Sequence, residues 1–149
     1  MIALALRCQQ AAAQIASLYG DFVLFSLIQQ EATAGKWDVV ASAPWTSQSR
    51  ESIQRVVDVL RQHLTAEDWL HTARVLTLEP DSPFVETMTR LFFAPNPGQR
   101  EAGSGLALQE TGTFSANDLT VERAIIIVAE RTAPVARIAR EPARRKVAA

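Results

Sequence analysis

Cysteine occurs once in these 149 residues, at Cys8, so the chain cannot be read as a disulfide scaffold. No stretch approaches the roughly 18 consecutive apolar residues that suggest a membrane span. Glycine is sparse, at six residues, and heptads are missing, which excludes collagen-like and coiled-coil chains. Residues 1–7 lack the basic and uninterrupted apolar regions of a secretory leader, because Arg7 cuts the apolar run short. No export is expected, and the cytoplasm is the default location. What is present is 48% hydrophobic and 21% charged sequence with a formal net charge of −1. That composition excludes wholesale disorder. A chain of this length can bury about 68–70% of its unfolded surface in one core.

Apolar spacing then orders the chain. Leu4, Cys8, Ala11, Ile15 and Leu18 recur at helical spacing over residues 2–19, with Arg7, Gln9, Gln10 and Gln14 largely off that stripe and Gly20 as the stop. Residues 22–28 are apolar except for Ser26, which predicts a central strand covered on both faces. Residues 36–43 resume as a second strand after a turn containing Gly35, making an antiparallel hairpin that Pro44 ends. Ile53, Val56, Val57, Leu60 and Leu64 define one face of a helix over 49–64, with candidate N-caps throughout 46–49. Thr65 and Asp68 then start a short helical turn through His71.

Residues 73–79 predict a third strand, reached by a parallel crossover. Ser82 and Pro83 start a helix burying Phe84, Val85, Met88, Leu91 and Phe92. Residues 94–105 hold two prolines and three glycines and predict a mobile surface loop. Residues 106–109 and 113–114 offer a weak edge strand, and 124–129 the strongest β run, expected to be buried. The fold expected is α+β with α/β-like layers, in the order α-β-β-α-β-α-(β)-β. It has a mixed sheet of four to five strands, an antiparallel N-terminal hairpin and amphipathic helices packed on it. The segments starting at Phe22, Ala73 and Ala124 are expected side by side beneath helical cover.

Charge divides the chain in two. Residues 131–149 carry six basic groups against Glu141, a net of +5, whereas residues 1–130 carry nine basic against fifteen acidic, a net of −6. Residues 1–130 therefore read as one globular domain and 131–149 as a basic, partly disordered tail. Arg137, Arg140, Arg144, Arg145 and Lys146 could contact phosphates in a salt-dependent way. The tail contains no aromatic residue to stack on bases, so a solvated terminus is the simpler reading.

Candidate sites face equally plain alternatives. His63, Glu67 and His71 have the spacing of metal ligands on one continuous helix, but Thr65 interrupts it with a cap, and no metal or other cofactor is expected. Cys8 lies on an apolar stripe and reads as a small core residue. Asp38, inside an otherwise apolar strand, is the only weak catalytic candidate; an arginine partner or a solvent-facing strand end explains it as well. Trp37 and Trp45 fall on the same side of a regular strand and could border a ligand pocket or partner surface, or seal the core edges. Ser42, Thr46, Ser47 and Ser49 surround a helix start that could receive an anion. No Walker loop or Gly-x-Ser-x-Gly elbow occurs.

The expectation is a small soluble protein acting through protein contacts or self-association rather than catalysis. One alternative is a ligand-binding protein or enzyme using a crevice near Ser42–Ser49, walled by Asp38 and the tryptophans. A second alternative is nucleic-acid contact through the tail.

Overall fold

The computed structural model describes residues 2–97, 109–116 and 118–130. Among them the helices are α1 (Ile2–Tyr19), α2 (Arg50–His63), α3 (Ala66–Leu70) and α4 (Pro83–Leu91). The strands are β1 (Leu24–Gln29), β2 (Trp37–Ser42), β3 (Thr72–Leu78), β4 (Gln109–Thr111), β5 (Phe114–Ala116), β6 (Leu119–Val121) and β7 (Arg123–Ala129). Five strands form one mixed sheet in the order β3-β2-β1-β7-β4, and β5 and β6 form a separate antiparallel pair. The α+β class, the five-stranded mixed sheet and the antiparallel β1–β2 hairpin match the expectation. So does the parallel β2–β3 crossover through α2 and α3.

Strand pleating sorts the side chains into two cores. Phe25, Leu27, Trp37, Val39 and Ala41 face α1 and α2, joined by Ile125, Ile127 and Val128 of β7. Leu24, Ile28, Val40, Ala124, Ile126 and Ala129 face α4 and the β5–β6 pair. The β1–β7 register explains why neighbouring Ile127 and Val128 share a face: Phe25 pairs with Val128 but Ser26 with Ile126, so Ile127 is an extra residue. Each aliphatic side chain buried in these layers contributes about 1.5–3 kcal/mol of transfer free energy. A left-handed Gly20, with φ of +117°, turns the chain from α1 into β1.

Several expectations shift. In α1 the stripe of Leu4, Cys8, Ala11 and Ile15 is buried as expected, but it ends before the exposed Leu18 and widens to take in Ala5, Gln9 and Ala12. In α2 the buried positions are Ser52, Val56, Val59 and Leu60, leaving Ile53 and Val57 half-exposed. Ser49 is the α2 N-cap and accepts from the Ser52 N–H. Ser82 occupies the α4 cap position without a side-chain bond, and Leu91 is exposed beyond the reach of the sheet.

The segment expected as a surface loop begins inside the protein. Ala94 bridges Ala129, and Asn96 is buried because its amide pairs with both backbone groups of Phe22. Its residues 98–105 lie outside the described residues. The weak edge strand of residues 106–109 and 113–114 resolves into β4 and β5, with β6 unforeseen; residues 106–108 are outside the described set. β1 and β7 lie side by side, but β2 separates β3 from them. β3 is an edge strand with Ala73 and Arg74 exposed, so it is not sandwiched as expected.

Candidate functional site

The polar candidates separate across the sheet. Successive residues of β2 point to opposite faces, so Trp37 enters the α1–α2 core while Asp38 and Ser42 lie on the α4 side. Trp45, past the end of β2, packs on Phe22 and Tyr19 with ring centroids 5.8 and 5.2 Å away. Ser47 stands beside the start of α2, its hydroxyl 3.0 Å from that of Ser49 and its N–H donating to Ser52 Oγ at 3.0 Å. A crevice near Ser42–Ser49 with Asp38 and the tryptophans as walls is therefore not assembled. The pleat puts Asp38 and Ser42 on one side of the sheet and both tryptophans on the other.

Asp38 is fully buried and accepts three hydrogen bonds from two side chains. Arg74 donates to it twice, through Nη2 at 2.7 Å and Nε at 3.2 Å, and Gln30 Nε2 donates at 2.8 Å. The register creates the pair, since Asp38 and Arg74 are partners across the parallel ladder. Asp38 raises the guanidinium's already high pKa further, through the hydrogen bond first and the opposite charge second. The carboxylate thus reads as structural.

A second carboxylate is equally engaged. Asp68 closes a capping box with Thr65 and takes a two-pronged contact from Arg7 of α1. The Arg7 hydrogen bond, outweighing desolvation, holds its carboxyl down at about 2. Sequence reasoning saw the Thr65–Asp68 start but not Arg7, which is 61 residues away along the chain.

His63 ends α2 and sits 2.7 Å from Gln14 Oε1, while His71 caps α3. The extended backbone at Leu64, with ψ of 140°, breaks the helix between them, so the ligand spacing never becomes one face. Among the described residues no group of three or more His, Cys, Asp or Glu could hold a metal ion. Burial pushes the Cys8 thiol up to about 12. Arg137, Arg140, Arg144, Arg145 and Lys146 lie outside the described residues, as does the whole expected tail. Among the described residues no helix is long and apolar enough to cross a membrane.

Two features remain. The hydroxyls of Ser26 and Ser42, both fully buried on the α4 side, have no hydrogen-bond partner. The outer edge of β3 pairs with no other described strand. β3 contains no proline or lysine, and its single charge, Arg74, is paired with Asp38 of β2. One register irregularity, between Trp37 and Asp38, leaves Ala73 as an extra residue, and from Arg74 to Leu78 the pairing with β2 is regular.

Apolar surface continues from that edge. At about 100° per residue, Ile53 and Val57 lie roughly 140–180° around α2 from Arg55 and Gln62. Those two residues touch Tyr19 and Gln14 of α1, so Ile53 and Val57 face away from α1, toward the β3 side. Leu70, just before β3, is 69% exposed. The chain matches no protein-family model, no curated protein and no solved structure.

Proposed function

We propose that this protein is an interaction or structural module without catalytic activity, and that it meets its partner along the outer edge of β3. The edge of β3, unpaired among the described residues, carries this reading: the backbone groups that β2 does not use can extend the sheet into another chain, and Ile53, Val57 and Leu70 supply apolar contact beside it. The engagement of Asp38 by Arg74 and Gln30, and of Asp68 by Arg7 and Thr65, further supports it. A photo-crosslinking amino acid at Ala73 tests the reading, with the same group at exposed Glu86 as control. Adducts to a protein chain are expected from position 73 and not from 86; no adduct, or equal adducts from both, would overturn it.

A second reading, a small ligand between the sheet and α4, is favoured by the unpartnered Ser26 and Ser42 hydroxyls. A metabolite panel read by thermal shift tests it. Stabilisation that disappears in Ser42→Ala would support this reading, and a panel without a hit would count against it.

A further inference from the structure

We propose that the partner on β3 is a second copy of this chain, docked antiparallel about a two-fold axis through Leu76 so that the two five-stranded sheets become one. This rests on the proposed use of the β3 edge for protein contact and names the occupant.

Self-pairing has few possible registers. A two-fold axis perpendicular to the sheet keeps each face continuous and sets residues of like pleat opposite one another. Centred on Arg74, it would place two guanidinium groups opposite each other, which is unfavourable. Centred on Val75, it would set the irregular Ala73 against Thr77 of the copy. Centred on Leu76, it uses the whole regular stretch: Arg74 faces Leu78, Val75 faces Thr77 and Leu76 faces itself. Arg74, the only charge on the strand, is turned back to Asp38 in β2 and does not oppose a neighbour.

The flanks select direction. Exposed His71 precedes β3, while exposed Glu79 and Asp81 follow it. Antiparallel docking brings the imidazole end of one copy beside the carboxylate end of the other at both ends of the seam; parallel docking would set carboxylates against carboxylates. The two-fold axis also leaves Ile53 and Val57 of both copies on one side of the joined sheet, beside the seam. Those residues lie at the margin of the apolar stripe of α2, where its own core covers them only in part.

Sedimentation of the full chain across a concentration series should show 16.3 kDa protomers converting to a species of twice that mass. Asp81→Lys, at the position that faces His71 of the copy, should weaken this association several-fold, and adding His71→Glu should restore it, because a cation and a carboxylate again meet across the seam. Both positions are exposed, so circular dichroism should be unchanged.

Leu76→Cys should form a disulfide-linked dimer under mild oxidation, since directly opposed Cα atoms lie about 4.5–5.5 Å apart, within disulfide range. Exposed Ala73→Cys should not, because it lies six residues out of step with its copy. A protomer at every concentration overturns the proposal, as does cross-linking at 73 rather than 76. If Ala73 photo-crosslinks instead to a different protein, edge docking stands and self-pairing fails.

Discussion

Arg7 in α1 grips Asp68 in α3, with Nη2 2.7 Å from Oδ1, while the same carboxylate accepts the Thr65 backbone N–H at 2.9 Å. One side chain thereby anchors the first helix to the crossover and starts a five-residue helix. Its carboxyl, at about 2 when folded, lies below the ordinary unfolded value of about 3.9. A depressed carboxyl stabilises the fold above its unfolded value, and that contribution is lost as pH falls from about 4 to about 2. Urea titrations across this range should show stability falling on acidification, with a flatter profile in Asp68→Asn. Identical profiles would refute the assignment. Asp68→Ala should cost about 1–3 kcal/mol at neutral pH through loss of the cap and its charged hydrogen bonds.

The Asp38–Arg74 pair should respond asymmetrically. Asp38 is fully buried, whereas the Arg74 side chain is 54% exposed. Arg74→Met strands a carboxylate inside with only Gln30 as side-chain partner and should destabilise by about 3 kcal/mol. Asp38→Asn leaves a guanidinium that can turn to water and should cost about 1 kcal/mol. Chemical denaturation of the two variants, measured at protomer concentration, decides; equal losses would contradict this account.

Asn96 replaces a strand neighbour for Phe22, accepting its N–H at 2.7 Å and donating to its carbonyl at 2.8 Å. Asn96→Ala leaves both buried backbone groups unpaired and should cost about 2–4 kcal/mol. Asn96→Asp keeps the acceptor but turns a negative charge toward the Phe22 carbonyl and Glu130, so it should be no better than alanine. Thermal midpoints of the three proteins test the order.

Cys8, with its thiol pushed up to about 12 and no exposed surface, should resist alkylation at pH 8 in the native state. Iodoacetamide should label it at a rate that tracks global unfolding in urea. Rapid labelling of the native protein would show that α1 opens locally.

The sequence foretold most of the architecture because period-2 and period-3.6 patterns report burial directly, as in residues 124–129 and 49–64. It placed the centres of the covered faces of α1 and α2 but not their margins, since a stripe records which side is apolar and not which neighbour covers it; Val59 is buried by packing, while Leu18 is exposed and Ile53 only partly covered. The polar pairs were mostly illegible. The chemistry of Asp38 allows an arginine partner but does not say which, and the register that joins it to Arg74 arises from the parallel pairing of β2 and β3. Asn96 looked like loop composition because nothing local signals a side chain that completes a backbone 74 residues away. Ser42 and Ser47 are five residues apart yet divided by the sheet, a separation that only the pleat and the turn at Pro44 determine.

β1 is the middle strand, but its two neighbours are made at very different times: β2 begins eight residues after β1 ends, and β7 begins at residue 123. During synthesis, helices α1 to α4 and three strands can assemble while one flank of Leu24–Gln29 still lacks its neighbour. Closure of the five-stranded sheet must await β7, a long-range pairing of the kind that slows folding. Ribosome-bound chains halted before residue 123 should therefore bind chaperones that released full-length chains do not.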